Sequence, residues 1–188
     1  MQHIVACAFF YGKMKNLRKL ILIQLTLLCV LFASCKTTEE NIFTMSQESG
    51  QLVFLRPVTL DNKTFPLRKT SFDITVNIID FELTDSNIVN YTLYFPEEYF
   101  NSFDKTEFFF TTDSVEKVTL DDLIILYKDF KKKNLEVRFS GTLPKEKLEA
   151  ILENPNQTKV GITLEDKTMI FTSEDFSRKL FELGVLVR

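Results

Sequence analysis

The stretch Ser71-Phe72-Asp73-Ile74-Thr75-Val76-Asn77-Ile78-Ile79-Asp80-Phe81-Glu82-Leu83, with Ile88-Val89-Asn90-Tyr91-Thr92-Leu93-Tyr94-Phe95 after a polar break, decides the fold. Phe72, Ile74, Val76 and Ile78 alternate with Ser71, Asp73, Thr75 and Asn77. A period of two places the apolar set on one face of a strand. At Ile78-Ile79 the phase flips, and Ile79, Phe81 and Leu83 continue on the other parity, which predicts a bulge or a sheet-switching bend. Thr84-Asp85-Ser86-Asn87 reads as a turn, and Val89, Tyr91, Leu93 and Phe95 resume the alternation. Residues 71–95 therefore read as a long β-hairpin.

Working outward, residues 51–60 (QLVFLRPVTL) read as a strand whose Pro57 suggests a sheet edge, since proline cannot donate to a ladder. Pro96-Glu97-Glu98 could open a short helix through Phe103, and residues 107–112 (EFFFTT) form a short buried strand. Thr119-Leu120-Asp121-Asp122 resembles a capping box, and Leu120, Leu123, Ile124, Tyr127 and Phe130 recur at helical spacing up to Lys131-Lys132-Lys133. The spacing predicts a helix there; a strand at residues 123–127 is the competing reading, because Ile and Tyr favour sheets. Residues 135–141 alternate as a strand, a helix follows Pro144 and stops before Pro155, and residues 158–164 and 168–172 form a second hairpin. Ser173 caps a last helix that puts Phe176, Leu180 and Leu183 on one face, with Gly184 as its stop. The fold class is α+β: an antiparallel sheet with long hairpins covered by two to four short helices. The alternative, if residues 119–130 are strand, is a β-sandwich with helical decorations.

The N-terminal part has a different character. Residues 1–34 contain no Asp or Glu and carry Lys13, Lys15, Arg18 and Lys19, followed by the apolar run Leu20 to Phe32 and then Ala33-Ser34-Cys35. A basic start, an apolar run and small residues before a cut site read as a secretory signal. Thirteen residues rise only about 20 Å as a helix, short of a roughly 30 Å hydrocarbon core. The compact basic cluster Met14-Lys15-Asn16-Leu17-Arg18-Lys19 points to Met14 as the start of translation. Leu31-Phe32-Ala33-Ser34-Cys35 resembles the lipobox of bacterial lipoproteins. The resemblance covers residues 14–35. It implies cleavage before Cys35, acylation of that cysteine, and anchoring of the mature chain in the bacterial cell envelope by lipid. The expected organisation is a signal peptide over 1–34, a lipidated N-terminus and flexible tether over 35–50, and a single domain over 51–188.

A chain beginning at Cys35 has 154 residues, with 19 Lys+Arg against 26 Asp+Glu, a net charge of −7. That balance speaks against nucleic acid and against a polybasic membrane patch. It favours a basic partner over a polyanion. His3 is the single histidine and lies in the signal segment, which removes serine–histidine–acid triads, histidine-based zinc sites and histidine general bases together. Gly50, Gly141, Gly161 and Gly184 are scattered, so there is no phosphate-cradling loop. No metal or cofactor is expected. A carboxylate pair acting on envelope glycan is the surviving enzymatic reading, and a non-catalytic binding or scaffold module is preferred.

Aromatic residues crowd positions 91–110. If Tyr91, Leu93 and Phe95 face the core, Tyr94 faces outward. Tyr94 and Tyr99, rimmed by Glu97 and Glu98, form the candidate partner-binding surface, with an envelope protein or glycan as the expected partner. Asp121-Asp122 and Lys131-Lys132-Lys133 read as charges at the two ends of the expected helix.

Overall fold

The computed structural model describes residues 41–61, 65–67, 69–113, 117–131, 133–171 and 173–188. The expected signal peptide, Met14 and the lipidation residue Cys35 lie outside them.

Two antiparallel sheets carry the fold. The larger runs β1 (Ile42–Gln47), β2 (Gly50–Asp61), β3 (Lys69–Ile79), β5 (Asn87–Pro96), β9 (Asn134–Leu143) and β8 (Asp121–Lys131) side by side, with β4 (Glu82–Leu83) on the end of β3. The smaller has the order β11 (Lys167–Phe171), β10 (Lys159–Leu164), β6 (Thr106–Thr111) and β7 (Val118–Thr119). Helix α1 (Lys145–Glu153) follows β9 and α2 (Glu174–Leu186) closes the chain. This is antiparallel sheet with helical cover, consistent with the expected α+β class and equally with the mostly-β alternative with helical decorations.

The alternation in β3 and β5 builds the core. Phe72, Ile74, Val76, Val89, Tyr91, Leu93 and Phe95 are all buried. The small sheet meets them with Phe108 and Phe110, whose rings lie 5.6 and 5.9 Å from that of Phe72. Tyr91 is stacked between Phe108 at 4.5 Å and Phe139 at 4.8 Å. Helix α2 adds Phe176, Leu180 and Leu183, at i, i+4 and i+7, with Phe176 edge-on to Phe72 at 5.3 Å. Its N-terminus is capped as expected, by Ser173 Oγ accepting from the Phe176 amide. It runs on through Gly184 to Leu186, so that glycine does not stop it; Gly184 sits against Leu152 of α1.

Four expectations are corrected. Residues 119–130 are not a helix: Val118–Thr119 and Asp121–Lys131 are strands. β8 has register shifts between Asp121 and Ile124 and between Ile125 and Tyr127, and Asp122 has φ of 49°. Each inserted residue resets the in–out parity, so the alternation that would have betrayed a strand is scrambled into a helical spacing. The flip at Ile78-Ile79 is a two-residue turn instead of a bulge: Asp80 and Phe81 both have positive φ, and Ile79 pairs with Glu82. Pro57 does not make β2 an edge strand over its whole length, because β1 flanks Gly50–Leu55; the proline itself lies past that pairing, in a bulge between Leu55 and Val58 where, among the described residues, β2 pairs with β3 alone. Finally, residues 42–47 of the expected tether are strand β1, paired in register with Gly50–Leu55. The polar sequence around it hid the strand, since an edge strand has little to bury and β1, although it holds Ile42, Phe43 and Met45, is almost wholly exposed.

Candidate functional site

Parity fixes the outward surface of the large sheet. With Tyr91, Leu93 and Phe95 turned inward, Asn90, Thr92 and Tyr94 turn outward. The same face of the neighbouring strands carries Asp73, Glu136, Arg138 and Tyr127, which group into two hydrogen-bonded clusters along a polar belt. Arg138 donates to Asp73 at 2.7 Å and to Thr92 at 3.3 Å, and Asn90 donates to Asp73 at 2.8 Å. On the β8 side, Glu136 accepts from Lys131 and from the Tyr127 hydroxyl, each at 2.6 Å. The Lys131 and Tyr127 hydrogen bonds hold the Glu136 carboxyl below the usual glutamate range. The same contact raises the Tyr127 phenol and the Lys131 ammonium. These bonds tie the belt's charged groups to partners within the sheet, a structural role.

Tyr94 stands at the end of this belt, where β5 runs into Pro96 and a 3-10 turn, Glu97–Tyr99. The turn places Glu97 and Glu98 in solvent and leaves Tyr99 half-buried against the core. Here an open cleft of about 1020 Å³ forms at the sheet ends. Tyr94, Glu97, Glu98 and Tyr99 all line it, so the four residues singled out from sequence share one surface. Tyr94 and Tyr99 are partly exposed, whereas Tyr91, Leu93 and Phe95 are fully buried.

Sequence reasoning missed the cations. Lys69 from the start of β3, Lys133 from the β8–β9 turn and Lys167 from the start of β11 also line the cleft. They lie 34 to 98 residues apart in the chain, so no local pattern could have gathered them. Lys167 Nζ donates to the Tyr99 hydroxyl at 3.3 Å and lies 5.8 Å from the ring centroid. The hydrogen bond to Tyr99 raises its ammonium pKa above the usual lysine value. On a chain that is acidic as a whole, the cleft has three lysines against two glutamates.

The two glutamates are neighbours on one turn, and no other acid is among the described lining residues. Hydrolysis of a glycosidic bond requires two carboxyls flanking the bond, roughly 5 Å apart for retention or 6.5–9.5 Å for inversion. The walls around Glu97 and Glu98 present lysines, tyrosines, prolines, Phe65, Asn134 and Met169 instead. Among the described residues no group of three His, Cys, Asp or Glu side chains could hold a metal ion. Asp121, the other acid weighed from sequence, accepts from Lys147 at 2.7 Å; of the lysines expected at a helix end, Lys131 pairs with Glu136 and Lys133 lines the cleft, while Lys132 lies outside the described residues. What the arrangement can do is stack on a flat face, pair with charges of both signs and donate hydrogen bonds.

No family model, no curated protein and no solved structure matches the chain. Among the described residues no helix is long and apolar enough to cross a membrane.

Proposed function

We propose that the protein is a lipid-anchored bacterial envelope protein whose folded part is a non-catalytic binding module. The cleft lined by Tyr94, Tyr99, Lys69, Lys133 and Lys167 carries this reading. Two half-exposed aromatic rings supply area at low entropic cost, and charges of both signs supply hydrogen bonds, a combination suited to an envelope glycan or a polar protein surface. The lack of histidine in the mature chain and the placement of both cleft acids on one turn favour binding over catalysis. The likeness of residues 31–35 to a lipobox supports anchoring through Cys35, with two or three acyl chains sufficient for stable attachment.

The test separates the cleft from the anchor. Residues 36–188, produced without the leader and the lipidated cysteine, are sedimented with isolated cell envelopes. Retention is expected for the unmodified cleft and is expected to fall at least about tenfold in Tyr94→Ala/Tyr99→Ala. Equal retention of both chains contradicts the assignment.

A further inference from the structure

β8 is the far edge of the large sheet, and among the described residues it pairs with β9 alone. At 11 residues it presents a long row of backbone N–H and C=O groups with no neighbouring strand. Edge strands are normally kept short or interrupted by proline or lysine in the middle, because an open apolar edge is a template for another strand. The centre of β8 is the reverse: Leu123, Ile124, Ile125, Leu126 and Tyr127 are consecutive. All eleven residues are exposed, with Ile124 at 57% and Phe130 at 68%. These side chains point to both sides of the sheet. Ile125 and Phe130 lie opposite Phe139 and Leu135, on the core-facing side, while Ile124 lies opposite Ser140 on the outward side.

The charges say what fits this edge. β8 opens on Asp121-Asp122, and residues 128–133 hold four lysines against one aspartate. Asp121 and Lys131 have partners within the chain yet keep side-chain exposures of 48% and 61%. Laid antiparallel on itself about Leu126 and Tyr127, the strand sets the acidic start of each copy against the basic end of the other. A parallel alignment would set aspartate on aspartate and lysine on lysine. Two register shifts, one before Ile124 and one at Leu126, interrupt the row; bulges blunt an edge toward flat partners, whereas a second copy brings the matching irregularity. An antiparallel self-pairing is also isologous and closes at two copies, so it covers the edge without propagating.

We propose that β8 pairs antiparallel with β8 of a second copy of this chain, joining two large sheets into one continuous sheet. Leu126 then lies close to the two-fold axis.

The full chain is tested in membranes and after extraction in detergent. In membranes treated with a mild oxidant, Leu126→Cys is expected to give a covalent band at twice the chain mass, while Thr44→Cys, on the opposite edge strand β1, gives none. Extracted wild type is expected to sediment as a dimer. Ile124→Lys, a change at an exposed position that is expected to leave the circular dichroism spectrum unchanged, is expected to weaken the dimer at least about tenfold. Three results overturn the proposal: a monomer across the whole concentration range, self-crosslinking of Leu126→Cys no greater than that of Thr44→Cys, or a crosslinked band of another mass that assigns the edge to a different protein.

Discussion

The ε-ammonium of Lys167 reaches across the cleft to the phenol oxygen of Tyr99, 3.3 Å away. Lys167 belongs to the small sheet and Tyr99 to the turn that follows β5 of the large one, so the contact joins the two walls of the cleft. Both partners are accessible, and exposed pairs of this kind contribute little to stability. Lys167→Ala is therefore expected to keep thermal stability within about 0.5 kcal/mol of wild type while lowering retention on envelopes. Thermal melting together with the sedimentation assay checks this. Unchanged retention would remove Lys167 from the binding surface.

Among the described residues the Tyr91 hydroxyl has no hydrogen-bond partner, although its ring is completely buried between Phe108 and Phe139. Burial pushes its phenol above the usual tyrosine range. An unpaired buried polar group costs about 1–3 kcal/mol, and phenylalanine keeps the stacked ring without it. Tyr91→Phe is expected to raise stability by about 1 kcal/mol, a rise of about 2–4 °C in Tm for a domain of this size. A lower Tm would mean that the hydroxyl is satisfied in solution.

Asn87 is buried, and its side chain fills the gap where β5 leaves β3 and β4 takes over. Its Oδ1 accepts from the Asn77 amide at 3.1 Å, and its Nδ2 donates to the carbonyls of Thr84 at 2.6 Å and Leu143 at 3.1 Å. Removing the amide strands three backbone groups, two on the large sheet and one in the adjoining turn. Asn87→Ala is expected to cost about 2–4 kcal/mol, measured by urea unfolding with an unchanged m-value. Asn87→Asp should fare nearly as badly, because a carboxylate can accept from Asn77 but cannot donate to the two carbonyls.

Glu136 links stability to pH. Its pKa is lower in the folded chain than in the unfolded one, so the unfolded state binds the proton more tightly. The contribution is present above the ordinary glutamate range and is lost as pH falls through the depressed folded value. Stability measured from neutral to acidic pH is expected to decline on that side, and Glu136→Gln is expected to flatten part of the decline. A slope identical in wild type and variant would show that Lys131 and Tyr127 do not hold the carboxylate in solution.

How far the sequence could be read depended on the parity of each strand. β3, β5 and β9 alternate cleanly because one face is buried from end to end, and their core residues were visible at once. The sequence of β8 mimics a helix because two bulges break its period and nothing on it is buried. That of β1 resembles a linker for a related reason, its edge position leaving no hydrophobic requirement on its composition. Four of the twelve described residues lining the cleft are legible in the sequence. Tyr94 is placed by strand parity and Tyr99, Glu97 and Glu98 by the turn after Pro96, all within six residues. Lys69, Lys133 and Lys167 arrive through sheet topology, and pairing order is not written in local spacing.

Metabolic labelling with a clickable fatty acid tests the central claim of envelope anchoring most directly. Cells producing the full chain are labelled, and the protein is isolated and probed for incorporated acyl chains, with Cys35→Ala as the partner measurement. The expected result is strong labelling of wild type, none of Cys35→Ala, and a mature N-terminus at Cys35. Unlabelled wild type, or equal labelling of Cys35→Ala, would contradict lipid anchoring at this residue.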